Sequence, residues 1–385
     1  VSPVPDTTIR SARLAAGLVG RPVGSSPTAR ATAPLDVVRH LVAVQAQDFN
    51  QSLWAVGARS LGTTRTDVLA AFDRGELVRS WPMRGTLHTT TPDDLRVLLS
   101  LTATRTMRTV ATRFRQVGLQ PEDVDRARDA LLAALSGGAE VEREDAMRSF
   151  RDAGVDPGGS RGYTLLLAFA LEARIAWGPS RRVGQALVLL DDRAPVSSAV
   201  RELVDDAEAA LVHVLLGYLR GHGPATLADF GTWIGLPITA VRRARTAAAD
   251  QIVDVDATRV ASSGAAPASS TAGAHLLPAF DEYVLGLADR SALFVDPADR
   301  VAGRNGIGAP VAVVDGVVVG TWTRPAADGT VVLTPFRRLI AADQRALHRA
   351  ADHLGRFTER PTSLRIDPAP AAGVALTPAP AAPGP

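Results

Sequence analysis

A chain of 385 residues with 46% hydrophobic content can bury two to four folded modules and is too apolar for a disordered polymer. It contains no cysteine and no lysine, which excludes disulfides, thiolate metal sites, a thiol nucleophile and lysine Schiff-base chemistry. All 42 basic residues are arginine, set against 40 acidic ones for a net charge of +2, so any nucleic-acid footprint must come from where arginines cluster.

The opening stretch has no basic segment followed by a long apolar run, so no secretory signal is expected. No apolar run reaches the roughly 20 residues of a membrane span, and the lack of cysteine fits a reducing cytoplasm. Residues 1–33 read as a polar lead-in with one short helix over 10–17. Leu35, Val38, Leu41 and Val42 give helical spacing behind Pro34, which predicts a helix over 35–44. Two further helices are expected over 51–60 and 65–73, then strands over 77–81 and 86–90 joined through Pro82-Met83-Arg84-Gly85. Three helices followed by a two-stranded ribbon is the winged-helix order.

The order recurs twice. Helices over 122–136, 143–153 and 162–173 precede strands over 175–177 and 186–190; helices over 200–221, 226–233 and 240–248 precede strands over 252–256 and 258–262. Residues 263–274 are a small-residue linker. Beyond it the character is β: strands over 309–314 and 317–322 flank Asp315-Gly316, a hairpin signal, and a strand over 330–333 precedes a helix over 339–357. Residues 366–385, rich in Pro and Ala, read as a disordered tail.

Several segments together resemble the winged-helix crosslink-repair DNA glycosylases, the AlkZ-like family. They are VQAQD (44–48), LVRSWPMRGTLH (77–88), GPATLADFGTWIGL (223–236), LLPAFDEYVLG (276–286) and DGVVVGTW (315–322). The resemblance implies an α+β, predominantly helical chain: three tandem winged-helix modules (34–120, 121–195, 196–262) and a C-terminal β-barrel-like region (275–365) around a concave DNA channel. It implies a monofunctional glycosylase that excises bulky N7-alkylated purines, with some members unhooking interstrand crosslinks or protecting a producer from its own genotoxic product. The partner implied is double-stranded DNA carrying such lesions, met by a monomer without a cofactor. The catalytic signature is Gln-apolar-Gln, matched by Gln45, Ala46 and Gln47.

The chemistry is consistent with neutral amides. An N7-alkylguanine is cationic and leaves as a neutral base, so what remains is placing a water and stabilising an oxocarbenium-like sugar. An amide oxygen can accept from water and direct a negative dipole end at that cation. Residues two apart on a helix point nearly opposite ways, so the segment must leave helical geometry near Gln45 for both amides to converge. Asp48 is expected to cap the next helix rather than act as a base.

Arg79 and Arg84, His88, and Arg300 and Arg304 in the loop DRVAGRNGI are the candidate DNA contacts, although a lone histidine in a strand is commonly structural. Trp81 is expected to pack. Asp281 and Glu282, if on a strand, face opposite sides and do not form an acid pair; one of them could still reach the channel. Arginine patches recur at 105–115, 181–182, 242–245 and 337–338. No phosphate-binding Gly-Lys loop, dinucleotide fingerprint or clustered metal ligands stand in the sequence. The competing reading is a non-enzymatic winged-helix regulator or damage sensor, since the fold alone is compatible with either.

Overall fold

The structure, a computed structural model, describes residues 4–19, 33–181, 184–264, 273–294, 308–323 and 326–369. Most of the expected linker and tail lies outside them. The first helix, α1 (Asp6–Ala16), starts earlier than expected and is docked: Ile9, Arg13 and Leu14 are buried, and Arg13 donates to the Pro224 carbonyl at 3.0 Å.

Helix α2 (Ala33–Leu41) buries the apolar face its spacing predicts but stops three residues short of the expected end. Val42 takes a left-handed conformation (φ 69°) and turns the chain into a strand, β1 (Ala43–Gln45). Both faces of that strand are buried and its backbone pairs with a neighbouring strand, so sheet bonding replaces the last helical turn. Asp48 caps α3 (Phe49–Gly57) by accepting from the Gln51 N–H, and a Thr64–Asp67 capping box opens α4 (Arg65–Asp73) where expected. Strands β2 (Val78–Met83) and β3 (Thr86–Thr90) follow. Helix α5 (Pro92–Gln116), 25 residues long, was not among the expected elements. Its apolar positions thin out after Thr102, where threonines and arginines take the exposed faces.

The second round is α6 (Pro121–Leu135), α7 (Arg143–Asp152), α8 (Arg161–Leu171), β4 (Ile175–Ser180) and β5 (Gln185–Leu189). After α9 (Leu190–Arg193), the helix expected over 200–221 is two, α10 (Ser198–Asp205) and α11 (Ala207–His222). Asp206 divides them, since its carboxylate caps α11 through the Glu208 and Ala209 N–H groups. Then come β6 (Ala225–Thr226), α12 (Leu227–Ile234), α13 (Ile238–Ala247), β7 (Ile252–Asp254) and β8 (Arg259–Ser262). The last part holds β9 (Ala274–Leu277), α14 (Glu282–Leu285), β10 (Val311–Val314), β11 (Val317–Trp322), β12 (Thr330–Pro335), α15 (Ala341–Thr358) and β13 (Ser363–Ile366). Asp315 and Gly316 both have positive φ (49° and 77°), the two-residue turn that suits the twist of a tight hairpin.

The strands among the described residues form three sheets. The first two rounds share one, in the order β1-β3-β2-β4-β5; the third round has β6-β8-β7; the C-terminal part has an open sheet, β13-β12-β11-β10-β9. One large core joins α2, α3, α11, α12 and the C-terminal sheet, and a second lies under α5 to α8. Buried side chains of this kind contribute about 1.5–3 kcal/mol each.

Polar anchors lock the C-terminal part onto the first round. Trp54 Nε1 donates to the Leu276 carbonyl at 2.7 Å. Arg59, fully buried, forms a two-pronged pair with Asp281 at 2.8 and 2.7 Å and donates to the carbonyls of Gly17 (2.8 Å) and Ala55 (2.9 Å). A single guanidinium thus ties together the lead-in, α3 and the entry to α14.

Candidate active site

The break in helical geometry that the Gln-Ala-Gln segment requires is present. Gln45 ends β1 opposite His88 of β3, and the Ala46 N–H continues the pairing to the Leu87 carbonyl at 2.7 Å. Gln45 is buried, Gln47 is exposed, and Ala46 is fully buried between them. Each amide oxygen accepts from a nearby backbone N–H: Gln45 Oε1 lies 3.4 Å from the Gln47 N–H, and Gln47 Oε1 lies 3.4 Å from the Leu87 N–H of β3. These are long contacts, so both amides can re-aim at modest cost. A buried and an exposed amide side by side, at the edge of a sheet, can hold a water and face a cation.

Arg79 braces this segment. Its Nε donates to the Ala46 carbonyl at 2.8 Å, a terminal nitrogen reaches the Gln47 carbonyl at 3.5 Å, and the guanidinium lies 5.6 Å over the Phe49 ring. Burial, partly offset by Asp48, lowers its pKa to about 10. Arg79 therefore serves the motif's backbone first. His88 does not meet the expectation of a DNA contact: it is fully buried and cannot touch a phosphate. Its Nδ1 lies 2.9 Å from the Thr86 carbonyl and so carries the proton, leaving the lone pair of Nε2 facing the interior. Trp81 packs edge-on against Tyr163, as expected.

Arg84 is exposed in the β2–β3 turn. A cavity of about 440 Å³ opens beside it, lined by Arg84, Arg105, Arg113, Thr102, Thr106 and Tyr163 among others, with no carboxylate among the described residues of its wall. Three guanidinium groups converge there from two elements. Arg300 and Arg304 lie outside the described residues.

Of the two acids that the sequence leaves as candidates to reach the channel, Glu282 sits directly behind the motif. The Gln45 N–H donates to Glu282 Oε1 at 2.9 Å. Glu282 Oε2 lies 3.1 Å from His222 Nε2 and accepts from Trp233 Nε1 at 3.0 Å. Asp281 and Glu282 are not on a strand: Phe280 has φ 60°, Asp281 caps α14, and Glu282 is its first residue. The two carboxylates do diverge, one to Arg59 and one to Gln45. Burial pushes the Glu282 pKa up, but the hydrogen bond and charge of His222, the nearness of His88 and the Gln45 N–H outweigh it and hold the group at about 2. His222 is itself fixed, stacked on Tyr218 (4.5 Å, 10°) with Nδ1 3.1 Å from the Tyr218 carbonyl. A Cβ on Gly286 would stand 2.2 Å from the His222 ring, so glycine is what lets α14 approach. FDEY and GTWIG, over 230 residues and nearly 190 residues from the motif, lie in segments that carry the resemblance, but nothing local in either names Gln45 as the partner of Glu282.

Buried neutral histidines make stability depend on pH. Burial, reinforced by Arg84 and opposed by Glu282, lowers His88 from 6.5 to about 4; burial, His353 and Arg59 do the same for His275. Above pH 6.5 both are neutral folded or unfolded. Between 6.5 and 4 the unfolded chain takes up protons that the folded chain refuses, so each group removes about 1.4 kcal/mol of stability per pH unit. Unfolding free energies from urea titrations should fall from pH 6.5 to 4.5, and His88→Asn should make the decline shallower by one proton. A flat profile refutes this account.

Among the described residues no helix is long and apolar enough to cross a membrane, and no group of three or more His, Asp or Glu is placed to hold a metal. The sequence profile of the family described as DNA glycosylase AlkZ-like matches residues 38–357. A curated protein of Streptomyces sahachiroi, named interstrand DNA cross-link repair glycosylase, is 28% identical over 338 residues, spanning 83% of this chain and 90% of that protein. The solved structure of Streptomyces sahachiroi DNA glycosylase AlkZ is similar in fold, with a TM-score of 0.75 at 24% identity over 95% of this chain and all of that one.

Proposed function

The chain belongs to the AlkZ-like DNA glycosylase family, hydrolases of N-glycosyl bonds, and from that premise we propose that its substrates are bulky N7-alkylated purines in duplex DNA. Where the adduct bridges two strands, its removal unhooks an interstrand crosslink, the activity named for the Streptomyces relative. The biological role is DNA repair or self-resistance to a genotoxic natural product. The observation that carries the reading is the placement of two neutral amides, Gln45 and Gln47, two residues apart at one edge of a sheet, each oxygen on a long backbone contact. In the reaction the C1′–N9 bond breaks with its electron pair passing to the cationic base, which leaves neutral. Water adds to C1′ and gives its proton to solvent. Gln47, exposed, orients that water, and Gln45 faces the sugar. The chain has no lysine, so no lysine Schiff base carries the reaction past the abasic site.

The three helix-then-ribbon rounds act as winged-helix modules that, with the C-terminal sheet, wall a concave DNA channel. Arg84, Arg105 and Arg113 meet its phosphates, which makes binding salt-sensitive. Arg300 and Arg304 remain DNA contacts of this reading, and the protein works as a cytoplasmic monomer. The test is a pair of duplexes, one bearing a bulky N7-alkylguanine and one N7-methylguanine, incubated with protein and then treated with mild alkali beside a protein-free control. Strand breakage at the modified guanine, beyond the control, is expected. Bound, intact DNA would favour a damage sensor instead.

A further inference from the structure

The glutamines are neutral, yet the sugar they face becomes positively charged as the base departs. A negative charge is already fixed behind them. Glu282 is 2% exposed, as is the His222 side chain that contacts it. Its Oε1 points to the Gln45 peptide, while Oε2 faces away toward His222 and Trp233. Three donors from three separate elements (β1, α11 and α12) therefore converge on one carboxylate. Such a group is expensive to bury and contributes little net stability compared with an apolar replacement. Its orientation is the informative feature: Oε1 is directed at the motif, and the contacts to His222 and Trp233 lie on the far side.

We propose that Glu282 is a positioning residue for the glycosylase reaction, anchoring the Gln45 peptide and setting a fixed negative potential where the oxocarbenium-like sugar forms. This rests on the proposed function for the nature of the reaction, but not for the identity of the lesion. A carboxylate in a water-excluded setting acts on a developing cation without reorganising as the reaction proceeds. His222 and Trp233 keep it from swinging toward Gln45's side chain or taking a proton. His88, neutral and buried beside it on β3, adds no competing charge. Arg84 and Arg59 feel the charge of Glu282, yet neither makes a hydrogen bond to it among the described residues; Arg59 is committed to Asp281.

The test compares binding to two duplexes, one with a cationic pyrrolidine abasic analogue that mimics the charged sugar and one with the neutral tetrahydrofuran analogue. Wild type should prefer the cation by roughly ten-fold or more, as a site complementary to a charged transition state does. Glu282→Gln, which keeps the shape and removes the charge, should bring the ratio near one while leaving affinity for the neutral duplex within about two-fold. Single-turnover excision should fall about 100-fold in the same variant. Glu282→Asp, which keeps the charge, should restore part of the preference. In NMR spectra the Gln45 amide proton should sit downfield in wild type and move upfield in Glu282→Gln. An unchanged ratio in Glu282→Gln overturns the proposal. So does a wild-type ratio near one, which decides the matter even if the variant does not fold. Wild type that prefers the cation but leaves both N7-alkylguanine duplexes intact removes the lesion assignment and supports the role of Glu282.

Discussion

Replacing Gln45 and Gln47 together by alanine should reduce single-turnover excision of N7-methylguanine by roughly 1,000-fold or more while leaving duplex binding within about two-fold of wild type. The two sites separate chemistry from folding. Gln47 is exposed and its side chain makes one long contact, to the Leu87 N–H at 3.4 Å, so Gln47→Ala should change stability by less than about 0.5 kcal/mol. Its loss of activity is then a loss of water placement. Gln45 is buried, and truncating it also leaves a void beside His88. Gln45→Ala should cost about 1 kcal/mol or more of stability as well as rate. A double variant that still releases N7-methylguanine at close to the wild-type rate would end the assignment of both amides.

The largest stability effect is expected at Arg59. Arg59→Ala strips a fully buried carboxylate of its partner and frees the Gly17 and Ala55 carbonyls it served. Breaking a buried pair from one side costs about 3–5 kcal/mol, because the remaining charge has no solvent to turn to. Arg59→Met combined with Asp281→Leu removes both charges and should be less damaging than Arg59→Ala alone. Urea titrations of the single and double variants decide this. A loss below about 1 kcal/mol for Arg59→Ala would show that the pair is not the anchor described.

Local patterns were readable from sequence where local physics settles them. The α4 bounds, the Asp48 cap and the Asp315-Gly316 turn all follow from capping and turn chemistry and stand where expected. The motif's departure from helix was also legible, because Gln45 and Gln47 could not otherwise converge. What a local reading cannot see is a contact made at a distance. The last helical turn of α2 was lost to pairing with β3, nearly 45 residues on. The 200–221 stretch reads as one helix until Asp206 bends back to cap the next. His88 looked available because a lone histidine on a strand carries no sign of which face is covered. The bonds of Arg79 to the Ala46 and Gln47 carbonyls were not legible, since no side-chain pattern reveals a backbone partner. Glu282 was read with its sequence neighbour Asp281, whereas its partners come from α11, α12 and β1.

The bond between the Gln45 peptide and Glu282 spans 237 positions in the chain. During synthesis at roughly 5–20 residues per second, the motif leaves the ribosome about ten to fifty seconds before its carboxylate exists. The Gln-Ala-Gln strand is made early and completed late, so a nascent or prematurely terminated chain carries the glutamines without the charge behind them. On the proposed role of Glu282, base excision waits until synthesis has passed α14.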